Sequence, residues 1–328
     1  MYVVTGGAGF IGSNLLAALE ERGLGPLVVC DRLRDNEKWR NIANRELSDV
    51  VHPEQIFDFL EANKGRIRAI FHMGAISATT ENNADLIVAN NFNPTLALFA
   101  WATRNQVRII YASSAATYGD GSQGFNDDFN PTSLSLLHPL NAYGWSKHLF
   151  DRRLARKIAD KKAVPAQWVG LKFFNVYGPN EYHKGNQQSV VAQIYPQAES
   201  GAAAHLFRSH HPDYPDGGQK RDFIWVGDVV DVMMWLLEHP EVSGLYNLGT
   251  GTARSFHDLA SAVYRALNKE PRIKFIDTPV NIRDKYQYFT EARMDHLRAA
   301  GYTKPFTSLE DGVAKYVQGY LAKPDRYR

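Results

Sequence analysis

The first twelve residues restrict this chain more than any other stretch. Met1-Tyr-Val-Val-Thr5 is an apolar run of strand length, and Gly6-Gly-Ala-Gly9-Phe-Ile-Gly12 follows it directly, overlapping an amphipathic segment from Phe10 to Glu21. A strand that feeds a helix through so tight a glycine turn predicts the opening of a βαβ unit. The glycines let the backbone turn sharply and approach a ligand, and the N–H groups at the helix start face anionic oxygens. A second apolar run, Leu27-Val-Val-Cys30, ends in Asp31. That carboxylate falls roughly 20 residues after the turn, where a dinucleotide ribose is met. The spacing predicts a dinucleotide site on a parallel sheet.

An aspartate at this position favours NAD, because its charge repels a 2′-phosphate. Here Arg32, Arg34, Lys38 and Arg40 follow at once and supply the opposite charge. NADP is therefore the expected cofactor, with NAD as the alternative. Leu47-Ser-Asp49 is expected to close a third strand and bring Asp49 to the adenine. Pro53 to Asn63 is expected as a helix, Ala69 to His72 as a strand, Asp85 to Arg104 as a long helix carrying Asn90 and Asn91, and Arg108 to Ala112 as a strand ending at Ser113-Ser114. Strand and helix alternate, which predicts a doubly wound parallel α/β sheet whose ligands lie beyond the carboxyl ends of its strands. Gly74, Ala75, Ser77 and Thr79 fall at such an end.

Charge narrows the partners. With 37 basic and 35 acidic residues the chain carries +2, and no nucleic-acid partner is expected. Cys30 is the single cysteine, which fits a reducing compartment. No leader is apparent and no apolar run reaches membrane length, so a cytoplasmic protein without a membrane partner is expected. No cluster of side chains has metal-ligand spacing.

Tyr143-Gly-Trp-Ser-Lys147 supplies the chemistry. A phenol and an ammonium four positions apart share one helix face, and the ammonium is expected to favour the phenolate below its ordinary pKa of about 10. Ser114, at a strand end, and Tyr143, at a helix start, are expected to converge on one substrate.

Gly6-x-x-Gly9-x-x-Gly12, the Ser114-Ala-Ala-Thr-Tyr118-Gly run and Tyr143-x-x-x-Lys147 occur in the order of the extended short-chain dehydrogenase/reductases, which the chain resembles over nearly its whole length. The resemblance implies a Rossmann-like fold with a smaller, interleaved C-terminal substrate domain. Residues 1–173 and 224–250 would bind the cofactor, and residues 174–223 and 251–328 the substrate. It also implies Tyr143 as acid/base, Lys147 on the nicotinamide ribose and Ser114 on the reacting oxygen. Gly6, Gly9, Phe10, Ile11, Gly12, Asp31, Arg32, Lys38, Asp49, Gly74, Ala75, Ser77, Asn90, Lys147 and Val176 would hold the cofactor.

Further on, Asn175-Val-Tyr-Gly-Pro-x-Glu-x-His-Lys184-Gly and Gly74-Ala75-x-Ser77-x-Thr79-Thr80-Glu81 resemble the heptose 6-epimerase branch of that family. This likeness implies Lys184 as a second acid/base and an ADP-heptose as the nucleotide-sugar partner. Its C6 would be inverted by hydride removal and return, supplying heptose for lipopolysaccharide core. A UDP-hexose 4-epimerase is the alternative, and a homo-oligomer is expected. Ala115-Ala116 stand where the family's dehydratases carry an Asp-Glu pair, which counts against elimination. Ser77, Thr79, Ser114, Asn175, Asn186, Gln193, Phe207, Arg208, Arg221 and Tyr286 would bind substrate. Asn186 and Gln193 stand where some members carry Ser and His.

Overall fold

A computed structural model describes residues 1–283 and 287–328. Six strands, β1 (Tyr2–Thr5), β2 (Leu27–Cys30), β3 (Asp49–Val51), β4 (Ala69–His72), β5 (Arg108–Ser114) and β6 (Trp168–Phe173), join a seventh at Gly244–Leu248 in one parallel sheet. From one edge the order is Gly244–Leu248, β6, β5, β4, β1, β2, β3. The chain starts in the middle and winds outwards both ways, so the order reverses between β1 and β4. That crevice is where an open α/β sheet takes its ligand.

Alternation along β1 explains the two covered faces. Tyr2 and Val4 point into one apolar cluster and Met1 and Val3 into the other. On the first face, helix α1 (Phe10–Glu21) buries Leu15, Leu16 and Leu19 against Val229, Val232 and Met233 of the Val226–Glu238 helix. On the second, Leu60, Leu98, Phe99, Trp101, Phe150 and Leu154 come from three helices, Ile56–Asn63, Asn93–Asn105 and Ala142–Ala159. Each fully buried side chain of this size contributes about 1.5–3 kcal/mol. Cys30 is buried, and burial pushes its thiol up to about 12. His72 bonds Thr5 Oγ1 at 2.6 Å and Thr95 Oγ1 at 2.7 Å. It packs as a neutral strand residue, its pKa lowered to about 3 by burial and then by Lys147.

A third apolar cluster gathers the helices Val190–Ser200, Phe256–Ala266 and Leu309–Tyr316. Ser255 caps the second with a full capping box to Asp258. Asn175–Tyr177 pairs in parallel with Phe223–Trp225, and Ala204–Phe207 with Ile273–Ile276. Among the described residues, no helix is long and apolar enough to cross a membrane.

Two expectations change. The third strand is Asp49–Val51, because the β-branched Val50 and Val51 pair with Val29 and Cys30. Asp49 therefore opens that strand, exposed, and accepts from the Val50 N–H at 2.8 Å. The long helix is interrupted: Ala84–Ile87 passes through a π-turn at Val88–Phe92 before Asn93–Asn105. Pro94 lacks the N–H that the regular ladder needs, and the widened turn sits just ahead of it.

Candidate active site

The glycine turn closes on itself. Gly6 has φ +65°, and a Cβ there would come within 2.6 Å of Gly74 Cα, while a Cβ on Gly12 would run into the Gly6 carbonyl oxygen. A side chain at either place would fill the cradle, so the turn fits a pyrophosphate at the start of α1. At the end of β2, Asp31 accepts from Ala8 N at 3.0 Å, Arg32 N at 2.7 Å and Lys38 Nζ at 2.6 Å. Arg32 in turn donates to Asn90 Oδ1 at 3.1 Å. A cavity of about 770 Å³ beside this group is lined by Arg32, Arg34, Lys38, Asn90, Glu54 and Phe57 among others, and Asp49 does not reach it.

A second cavity of about 480 Å³ brings together Gly6, Gly9, Phe10, Ile11, Gly12, Asp31, Lys38, Gly74, Ala75, Ser77, Ser114, Tyr143, Lys147, Asn175, Val176 and Lys184. Ser114 ends β5 and caps the short Ala115–Tyr118 turn, accepting from Ala116 N at 3.1 Å. The Ala142–Ala159 helix starts at Asn141, whose Oδ1 accepts from Gly144 N at 2.8 Å. A Cβ on Gly144 would lie 2.6 Å from the Ala116 carbonyl oxygen, so glycine is what lets the helix start abut that turn. The result places the Ser114 hydroxyl close enough to Tyr143 to lower the phenol's pKa.

Electrostatics overturn one expectation. Burial raises the Tyr143 phenol above its ordinary pKa, and the nearby Ser114 hydroxyl offsets that only in part. The phenol is held in its protonated form. Lys147, 5 % exposed, is itself lowered by burial to about 8, with the Asp151 carboxylate opposing. Asp151 accepts from Ser113 Oγ at 2.6 Å and Tyr111 OH at 3.1 Å, and lies 3.8 Å from Lys172 Nζ. Lys172 donates to Thr117 Oγ1 at 2.7 Å and sits over the Tyr118 ring.

Lys184 stands on the Tyr182–Gln187 3-10 segment, which kinks at Gly185 (φ 55°). Its ammonium lies 5.2 Å from the centre of the Phe10 ring, and its N–H donates to Glu181 O at 3.0 Å. Burial lowers its pKa and the buried Glu181 opposes that shift.

Not every expected residue reaches this cavity. Thr79, Asn186 and Gln193 are exposed, and Gln193 Nε2 donates to Gln188 O at 2.7 Å. Phe207 ends its strand outside the lining, and Arg208 lies 4.0 Å from Asp277 in an exposed ion pair. Arg221 donates to Gln287 O and Lys220 O and lies over Phe256, a lining residue. Tyr286 lies outside the described residues.

The motifs did not single out two residues that the fold makes prominent. Asn91, in the π-turn, accepts from Ile76 N at 2.8 Å and donates to Ile76 O at 3.0 Å and Ser146 Oγ at 3.1 Å, so it braces the Gly74–Ser77 loop. The adjacent asparagines before Pro94 were its only signal. His183 lines both cavities, and its place beside Lys184 was the clue to it.

Residues 2–249 match the pattern described as the NAD dependent epimerase/dehydratase family. The chain is 50 % identical over 329 residues to the ADP-L-glycero-D-manno-heptose-6-epimerase of Nitratidesulfovibrio vulgaris strain DP4, covering 100 % of both. It is 47 % identical over 335 residues to the protein of that name from Fusobacterium nucleatum, again covering 100 % of both. The crystal structure of the Helicobacter pylori protein of the same name superposes with a TM-score of 0.79 at 27 % identity, covering 98 % of this chain and 96 % of that one.

Proposed function

The chain belongs to the NAD dependent epimerase/dehydratase family, and we propose from that premise that it inverts C6 of an ADP-activated glycero-manno-heptose. The observation that carries the mechanism is that one cavity holds two proton-transfer groups, Tyr143 and Lys184, on separate elements. A bound nicotinamide dinucleotide supplies the reversible hydride acceptor that takes C6 to a ketone and restores it. Gly6, Gly9 and Gly12 would hold its pyrophosphate, Asp31 and Lys38 its adenosine ribose, and Lys147 its nicotinamide ribose.

Inversion brings the C6 oxygen to different places before and after the intermediate turns. One group takes the hydroxyl proton in the first half, and the other returns a proton in the second. Such a pair needs one member protonated and one free. Burial raises the Tyr143 phenol and lowers the Lys184 ammonium, so it moves the two groups in the opposite directions that such a pair needs. Ser114 holds the oxygen beside Tyr143, and the absence of a carboxylate at Ala115-Ala116 disfavours elimination.

NADP is our choice of dinucleotide. Lys38 neutralises Asp31, and Arg32 and Arg34 line the cavity beyond it, which favours a 2′-phosphate. We divide the chain at 1–173 with 224–250 for the cofactor and 174–223 with 251–328 for the substrate. We also place it in the cytoplasm, in keeping with its one buried thiol, and as a homo-oligomer. Supporting the last, Leu136, Leu140 and Trp145 are 53 %, 50 % and 40 % exposed within a short stretch, and light scattering tests it.

The mechanism is tested by epimerisation in deuterium oxide. Retention of the C6 hydrogen, read as an unchanged product mass, supports oxidation and return. Deuterium at C6 would point instead to simple deprotonation.

A further inference from the structure

Taking Lys184 as the second acid/base, which is the reading above, we propose that Asn41 is its positioning residue, fixing the loop that carries Lys184 to the glycine turn. Asn41 is the next-to-last residue of the short Glu37–Ile42 helix, near whose start Lys38 pairs with Asp31. It is 1 % exposed, far from usual for an asparagine in a surface helix.

Its side-chain nitrogen lies 2.9 Å from Ala8 O, 3.0 Å from Asn180 O and 3.1 Å from His183 Nδ1. Ala8 is in the glycine turn. Asn180 and His183 flank the bend that leads to Lys184. Two N–H protons are thus shared among three acceptors on two segments. His183 is kept neutral by burial, with a pKa lowered to about 4, and in the tautomer protonated at Nε2 its Nδ1 accepts from Asn41.

The loop has little freedom otherwise. Asn180 is fully buried with φ +71°, and its side chain donates to Ser13 Oγ at 3.0 Å. Asn14 Nδ2 donates to Pro179 O at 2.9 Å. Both partners stand on α1, directly behind the turn. Asn41 adds the link closest to Lys184, and its loss would let His183 and the adjoining base drift while α1 still anchors Pro179.

The test is a double-mutant cycle on the holoenzyme with Asn41→Leu, which keeps the volume and removes the donor, and Lys184→Ala. N41L is expected to lower kcat about 10–100-fold, with KM for the ADP-heptose within about threefold and bound dinucleotide retained. In the K184A background N41L should change the residual rate less than about twofold, because its effect passes through Lys184. An equal loss in both backgrounds overturns the proposal. His183→Phe, which leaves the Ala8 link intact, repeats the cycle where N41L does not fold. Loss of bound dinucleotide from both variants also overturns it, since the link would then serve the turn. K184A with undiminished activity would instead remove the second-base reading itself.

Discussion

The Lys172 ammonium lies 3.8 Å from the Asp151 carboxylate, both side chains are wholly buried, and Asp151 stands four residues beyond Lys147 on the same helix. Asp151 is also the group that opposes the lowering of Lys147. One buried carboxylate therefore serves stability and the site's electrostatics together.

Stability and activity can be separated here. Asp151→Ala leaves a buried ammonium unpaired and should cost about 3–5 kcal/mol in denaturant unfolding. The paired change D151L with K172M should recover most of that stability. Without Asp151, however, the pKa of Lys147 falls below about 8, and the alkaline limb of the pH–rate profile should move to lower pH.

Tyr143→Phe should lower epimerisation about 10²–10⁴-fold while leaving the bound dinucleotide in place. Rate and cofactor content measured on the same preparation check this. Unchanged turnover would remove the phenol from the mechanism.

Gly144→Ala places a Cβ 2.6 Å from the Ala116 carbonyl oxygen. The helix start must move away from Ser114, at a cost of about 1–3 kcal/mol. Activity should fall by far more than the change in melting temperature accounts for.

The histidines set the acid side of stability. His72 is lowered to about 3 and His148 and His183 to about 4, all chiefly by burial. Between the unfolded value of about 6.5 and these values, the unfolded chain binds more protons than the folded one. Stability is therefore present above about pH 6.5 and declines as pH falls towards 4. Melting temperature should drop between pH 7 and pH 5, before most carboxylates titrate. Lys147 acts in the same sense at the other end, since its lowered pKa adds stability as pH rises from about 8 towards 10.5.

Much of the sheet was legible because its signals are local. Glycine spacing and apolar runs placed α1, β2 and β4 at their observed bounds, and the motif residues Ser114, Tyr143, Lys147 and Lys184 all reach one cavity. What escaped depends on contacts distant in sequence. Asn41 meets His183 across 142 residues, and Asp151 meets Lys172 only through sheet packing. The Tyr143 pKa reversed for the same reason: helical spacing reveals the nearby lysine but not the burial that outweighs it.

The most direct test of the account is proton NMR on the purified protein given each ADP-heptose epimer separately. Both reactions should converge on one mixture of the C6 epimers with no net oxidation or reduction. Two starting epimers that stay unchanged, in protein carrying its dinucleotide, would contradict it.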